Sequence, residues 1–376
     1  MPETDPTVID RIRRRLDEVM DPELRLPITQ IGMVGDVTVD DAGAAEIQVK
    51  LTIEACPMRS RIVEDVAAAA VRAEGVTTAE VDLHVMSPEE RAALKEQLRA
   101  GGGRTNPFSD PDSLTKVYAV ASGKGGVGKS SVTVNLACAM AEQGLKVGVV
   151  DADVHGFSVP GLMGITDRPT RLDEMILPPV AYGVKTISIG MFVEGNQAVA
   201  WRGPMLHRAV EQFLTDVYFG DLDALLLDLP PGTGDIAISV AQLLPNSELL
   251  VVTTPQTAAA DVAERAGALS SQTEQRVAGV IENMGPMTMP DGSVLELFGS
   301  GGGQIVADRL GDRLGTAVPL LGSVPLDTTL RQAGDDGAPV SVSHPDSPAG
   351  SALREIAGKL TAQGRGLRGR SLPLNV

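Results

Sequence analysis

Apolar positions repeat in two different ways along this chain, and the change falls near residue 115. Between Thr7 and Met20 they stand at Val8, Ile9, Ile12, Leu16 and Val19, the spacing of one helix face. Asp21-Pro22 is expected to end that helix, because the residue before a proline is pushed out of the α region. Val37-Thr-Val39 and Ala45-Glu-Ile-Gln-Val-Lys-Leu-Thr-Ile53 alternate with period two, as half-buried strands do. Residues 62–74 are alanine-rich and helical in pattern, and Val81-Asp-Leu-His-Val85 is a further strand. Beyond Val117 the alternation disappears. Val117–Ala121, Val147–Val150, Leu225–Leu227, Leu249–Thr253 and Val277–Ile281 are unbroken apolar runs, expected for strands covered on both faces. Helical segments such as Ser130–Glu142 and Ala258–Ser270 separate them. Strands alternating with helices predict an α/β fold: a mainly parallel sheet with helices on both faces, preceded by a small α+β domain. Ligands of such sheets bind beyond the carboxyl ends of the strands. No internal repeat is present.

Between the two patterns lies Ala100-Gly-Gly-Gly-Arg-Thr-Asn-Pro-Phe-Ser-Asp-Pro-Asp-Ser113, a composition that buries little apolar area. The expected organisation is an α+β domain over 1–98, a linker over 99–114, a larger α/β domain over 115–362 and a mobile basic tail over 363–376.

Charge and composition narrow the classes. Lys and Arg number 32 against 49 Asp and Glu, a net of −17. Contacts to nucleic-acid phosphates or anionic lipid need clustered Lys and Arg, so no nucleic acid and no membrane partner is expected. No apolar run is long enough to span a bilayer. The opening Met1-Pro-Glu-Thr-Asp5 lacks the basic-then-apolar order of a signal peptide. The 2 cysteines, Cys56 and Cys138, cannot build a disulfide framework, which suits a reducing compartment. The expected location is the cytoplasm.

The strongest chemical signal is Gly123-Lys-Gly-Gly-Val-Gly-Lys-Ser130, which fits the phosphate-loop pattern with a strand before it and a helix after it. Gly123, Gly125, Gly126 and Gly128 let the backbone wrap a phosphate where side chains would collide. Loop amides and the following helix N-terminus supply partial positive charge. Lys129 is placed to reach the β- and γ-phosphates, and the Ser130 hydroxyl to hold Mg²⁺. The nucleotide-binding set is Gly123, Lys124, Gly125, Gly126, Val127, Gly128, Lys129, Ser130 and Ser131, with ATP and Mg²⁺ as cofactors. In Leu226-Leu-Asp228-Leu-Pro-Pro-Gly-Thr-Gly-Asp235, an apolar strand ends in a carboxylate, the Walker B pattern, so Asp228 is expected to bind Mg²⁺ through water. The Pro and Gly residues after it form a hinge suited to sensing the γ-phosphate. Strand Val147–Val150 ends in Asp151-Ala-Asp153-Val-His155, which places two carboxylates toward the nucleotide. Asp151 is read as support for the Mg²⁺ shell; His155 is read as scaffold.

The extra lysine, Lys124, makes the loop resemble the deviant Walker A of the MinD/ParA/nitrogenase-iron-protein class. That resemblance implies that Lys124 reaches the nucleotide of a facing subunit, so that a homodimer sandwiches two ATP molecules. It implies that Asp153 orients the attacking water, with Lys124 and Lys129 completing the catalytic set. It also implies that Asn283, in Ile281-Glu-Asn-Met284, contacts adenine. GKGGVGKS (123–130), DADVHGFSVP (151–160), WRGPM (201–205), DLPPGTGD (228–235), ENM (282–284) and SVPLD (323–327) together resemble the Mrp/ApbC family of P-loop ATPases, iron–sulfur cluster carriers. Asp21-Pro-Glu23, Ile31-Gly32 and Leu51-Thr-Ile-Glu-Ala-Cys56-Pro57 resemble the small SufT-like domain often fused ahead of them. The family reading is a cytoplasmic homodimer that hydrolyses ATP, receives clusters from assembly proteins and passes them to apoproteins.

One part of that pattern is missing. Cluster-bridging family members usually carry Cys-x-x-Cys shortly after the ENM segment. Here residues 285–298 contain no cysteine, and Met287 and Met289 lack thiolate charge. Cys138 is read as a small buried hydrophobe. Cys56 is either a cluster ligand or reactive thiol, or a core residue. Three readings follow: an ATPase that carries clusters, a nucleotide-switched dimeric adaptor without its own cluster, and a positioning ATPase like ParA or MinD.

Overall fold

The computed structural model describes residues 7–53, 58–99, 105–153, 156–192, 203–232, 235–256 and 259–362. Cys56, His155, residues 100–104 of the expected linker and the tail from 363 lie outside the described residues. The chain divides into two compact units, one of residues 1–104 and 169–178, the other of 105–168 and 179–376.

The first unit begins with α1 (Val8–Leu16), started by a capping box in which Thr7 Oγ1 accepts from Asp10 N–H and Asp10 returns the contact to Thr7. The helix stops at Leu16, short of the expected Met20. Val19 turns inward instead, its carbonyl accepting from Ile28 N–H. Asp21 therefore builds the next turn rather than ending the helix: its Oδ1 accepts from the Glu23 and Leu24 amides at 3.0 and 2.7 Å. The sheet runs β1 (Val34–Val39), β2 (Ala44–Leu51), β3 (Thr78–Val85), with β1 antiparallel and β3 parallel to β2. Ala45, Ile47, Val49 and Leu51 point from β2 into the core, the period-two face seen in the sequence. Ile12 and Leu16 of α1, and Ile62 and Val66 of α2 (Arg59–Val71), are buried with them. A third helix, α3 (Pro88–Leu98), opens with Ser87 and Glu90 in a second capping box.

The second unit starts with β4 (Lys116–Ser122), α4 (Lys129–Glu142), β5 (Val147–Asp151) and the short α5 (Val159–Leu162). The chain then contributes a hairpin, β6 (Thr170–Leu172) and β7 (Met175–Leu177), to the first unit. Lys95 holds its turn, with Nζ 2.7 Å from Glu174 Oε2, and Thr170 Oγ1 donates to Glu23 Oε1 at 3.1 Å. The path returns through β8 (Val180–Ala181), β9 (Val184–Ser188), α6 (Gly203–Asp216), β10 (Ala224–Asp228) and α7 (Asp235–Leu243). Next come β11 (Glu248–Thr253), α8 (Ala259–Thr273), β12 (Val277–Gly285) and a small hairpin, β13 (Met287–Thr288) and β14 (Val294–Leu295). The last elements are α9 (Gly302–Leu314), β15 (Leu320–Pro325), α10 (Thr328–Asp335), α11 (Val340–Ser343) and α12 (Pro348–Thr361).

The main sheet has the order β15-β12-β11-β4-β10-β5-β9-β8, and every pair is parallel except β8 with β9. Apart from Lys116 at the start of β4, the central strands β4, β5 and β10 are buried along their length, as the unbroken apolar runs require. Cys138 is wholly buried in the α4 core, and burial pushes its thiol up to about 12. Strand β12 runs to Gly285, beyond the expected Ile281, because Glu282 and Asn283 still pair with Ser323 and Val324. Ser122, Asp151, Asp228 and Thr253 thus mark the carboxyl ends of four neighbouring strands, and Asn283 lies two residues before the end of a fifth, β12.

Candidate functional site

The loop after β4 is the centre of these strand ends. Gly126 and Gly128 have φ of +78° and +76°, the left-handed region that glycine enters without cost. Gly128 caps α4 with no side-chain hydrogen bond, so the first helix amides are left for a ligand. Side chains from three other elements hold the loop's backbone and its first lysine. Arg265 of α8 donates to the Gly123 carbonyl at 2.7 Å, Asn283 Nδ2 donates to the Val127 carbonyl at 2.8 Å, and Lys124 Nζ donates to Gln256 Oε1 at 2.7 Å. Gly232 N–H reaches back to the Ser122 carbonyl at 2.8 Å, tying the Pro-Gly segment after β10 to the same strand end.

Asp228 is the hub of the charged groups. It is fully buried, and Lys129 Nζ sits 2.6 Å from its Oδ1. The Ser130 hydroxyl donates to Oδ2, and Thr133 Oγ1 donates to Oδ1 at 3.0 Å. Sequence positions 129, 130 and 228 therefore meet at one carboxylate. A hydroxyl and a carboxylate are hard oxygen donors, the set Mg²⁺ prefers, so these residues fit the ion.

Asp151 ends the neighbouring strand in register with Asp228. It is also fully buried, and its carboxyl is pushed up to about 7, first by burial and then by repulsion from Asp228. The Ser188 hydroxyl donates to its Oδ2 at 3.0 Å and the Asp153 amide to its Oδ1 at 3.1 Å. Asp153 in turn accepts the Gly156 amide at 3.1 Å and is buried. Asp151 thus shapes the turn that carries Asp153. Ser131 is half-buried on α4, and its carbonyl accepts from Asn135 Nδ2.

Sequence reasoning missed four contributors: Thr133, Ser188, Gln256 and Arg265. Thr133 stands four residues after Lys129, one helical turn on, a spacing that offers the same face of α4. Ser188, Gln256 and Arg265 carry no local signal, because their partners Asp151, Lys124 and Gly123 are distant in sequence and meet them only in the fold. Among the described residues, no group of three or more His, Cys, Asp and Glu side chains is arranged to hold a metal ion by itself. No helix among them is long and apolar enough to cross a membrane.

Comparison with known proteins adds the family. The model for the NUBPL iron-transfer P-loop NTPase matches residues 113–361, and that for an iron-sulfur cluster assembly protein matches 9–81. An iron-sulfur cluster carrier protein from Mycobacterium tuberculosis is 58% identical over 366 residues, covering 97% of this chain and 96% of the relative. One from Bacillus subtilis is 39% identical over 361 residues, covering 94% of this chain and 97% of the relative. A solved nucleotide-binding protein from Archaeoglobus fulgidus, in complex with ADP, is 34% identical with a TM-score of 0.52; the match covers 61% of this chain and 92% of that one. The phosphate loop, its buried carboxylate hub and a match spanning the second unit agree: the chain belongs to the NUBPL iron-transfer P-loop NTPase family.

Proposed function

We propose that this protein binds Mg-ATP at the 123–131 loop, hydrolyses it, and uses the cycle to carry iron–sulfur clusters to apoproteins as a cytoplasmic homodimer. The observation that carries the nucleotide half is the convergence of Lys129, Ser130 and Thr133 on buried Asp228. Without ligand, Lys129 and Asp228 neutralise each other. A nucleotide offers Lys129 a phosphate, which frees the Asp228 oxygens and the Ser130 hydroxyl for the cation. Ser130 and Asp228 would hold Mg²⁺ there, and the ion would supply neutralisation of phosphate charge. Asp153, held by Asp151 beside the strand end, orients the attacking water. Lys124 is held by Gln256 within its own chain; in the dimer it turns to the partner's nucleotide. Asn283 braces the loop at Val127, a contact that occupies its amide nitrogen and is added to the adenine contact expected from the resemblance.

The cluster is cargo. The names of the relatives and the family support this half. Calorimetry with Mg-ADP and Mg-ATP tests the first half; absence of binding would remove it. Anaerobic reconstitution with iron and sulfide, followed by transfer to an apo-ferredoxin, tests the second.

A second reading has its own support. Cys138 is buried with a raised thiol pKa, and residues 285–298 supply only methionine sulfur. That favours a nucleotide-switched adaptor that directs clusters held by another protein. Iron and sulfide binding no greater than in Cys56→Ala protein selects the adaptor.

A further inference from the structure

One buried carboxylate has no part in the reading above. Glu282, at the end of β12, is 4% exposed. Its two oxygens serve separate donors. Oε2 accepts from Gly303 N–H, in the first turn of α9, at 2.7 Å; Oε1 accepts from the Ser323 hydroxyl, on β15, at 2.8 Å. The packing around it is close. A β-carbon on Gly303 would lie 2.7 Å from Glu282 Cβ, and one on Gly302 would lie 2.6 Å from the Thr254 carbonyl oxygen. The start of α9 is thereby fixed against the ends of β11 and β12.

Two residues later the backbone does something costly. Met284 has φ of +62°, and the ladder with β15 shifts register between Asn283 and Gly285. A non-glycine residue stays in the left-handed region only where its surroundings hold it there, and such strain gathers at functional sites. Between the clamp and the strained residue stands Asn283. Its amide donates to the Val127 carbonyl at 2.8 Å and lies 2.3 Å from where a Gly128 β-carbon would be.

The geometry points to Glu282 as a positioning residue for the phosphate loop. It pins the end of β12 to α9 and β15, this holds the turn at Met284, and the turn aims Asn283 at Val127 and Gly128. The inference rests on the reading that the loop binds nucleotide. A loop ordered before its ligand arrives spends less of the binding energy on ordering, so loosening the clamp weakens affinity. Glu282 acts through Asn283, not on the nucleotide itself.

The test is calorimetric titration of ADP into the full chain, below the unfolding temperature of every variant. Glu282→Ala leaves the buried Gly303 amide unpaired and takes the partner of the Ser323 hydroxyl away, and is expected to weaken ADP about tenfold. Glu282→Gln keeps the shape, accepts from Gly303 and donates to Ser323, and is expected to stay within about threefold of wild type. Leu353→Ala, buried in α12, is expected to lower thermal stability while keeping wild-type affinity. Wild-type affinity in Glu282→Ala, Glu282→Gln as weak as Glu282→Ala, or an equal loss in Leu353→Ala overturns the proposal. If Glu282→Ala does not fold, Ser323→Ala removes one donor alone: about threefold weaker binding is expected, and unchanged affinity overturns it. A wild-type protein that binds no ADP removes the underlying nucleotide reading instead, so the two failures are distinct.

Discussion

The phosphate-loop end of the sheet and the hairpin after β12 share a strand but are built on opposite principles. Around the loop, every buried charge found has a partner within the second unit: Lys129 with Asp228, Asp151 with Ser188, Glu282 with Gly303 and Ser323. At the hairpin, Val294, Leu295 and Leu297 are 59%, 41% and 63% exposed, and the sulfur nearby is thioether. The difference teaches where this protein needs help. The carboxylate, lysine and hydroxyls at the phosphate loop are already held in place by one chain. A cluster prefers thiolates, and this stretch brings none.

The sharpest way to break that comparison is at the loop. Lys129→Ala should abolish ATP binding, because it removes the phosphate ligand and leaves Asp228 buried without its charge partner. Calorimetry checks this; retained affinity would contradict the whole site. Next in size is Asp153→Ala, expected to bind ATP near wild-type strength but to turn over about a hundredfold more slowly. A steady-state phosphate-release assay at wild-type rate would remove Asp153 from catalysis.

A pH experiment tests the carboxylate pair. Asp151 has a folded pKa of about 7 against an ordinary 3.8, so the folded state holds this proton more tightly than the unfolded state. Its contribution to stability is full below the unfolded pKa and is lost as pH rises toward about 7. Nucleotide-free wild type should therefore lose melting temperature over that window relative to Asp151→Asn. Parallel melting curves for the two proteins would show that Asp151 is not the buried proton holder. At the hairpin the effects should be small. Leu297→Ser should change stability by no more than about 0.5 kcal/mol, measured by urea unfolding, because its side chain is mostly in water. A larger loss would mean that the hairpin is covered in solution. Native alkylation near neutral pH should spare Cys138, whose thiol burial keeps protonated up to about 12. Mass spectrometry showing it labelled would mean that the thiol is accessible and not a fixed part of the core.

Much of this was legible residue by residue. The central strands read as unbroken apolar runs because burial on both faces removes the alternation that β2 displays. The phosphate loop was legible because its glycines and lysine are consecutive, and the partner Asp228 because it closes an apolar strand. Strands β8 and β9 and the β6–β7 hairpin were not legible, since short apolar pieces between prolines and glycines carry no period. The end of α1 was misjudged because Asp21-Pro22 does stop a helix, yet the pull of Val19 toward Ile28 stops it earlier. Cys56 stays where the sequence left it, outside the described residues.

By itself the sequence determined the chemistry of the loop, because contiguous residues dictate where backbone amides, lysine and hydroxyl gather. It also determined the absence of a cysteine pair after Asn283. Only the tertiary structure decided which distant groups stabilise those residues. Asp228 lies 99 residues from Lys129, and Asn283 lies 156 from Val127, yet strand order brings each within hydrogen-bond reach. Such partners leave no local mark, because a parallel sheet joins strand ends through long crossovers and the matching of charges is settled in space.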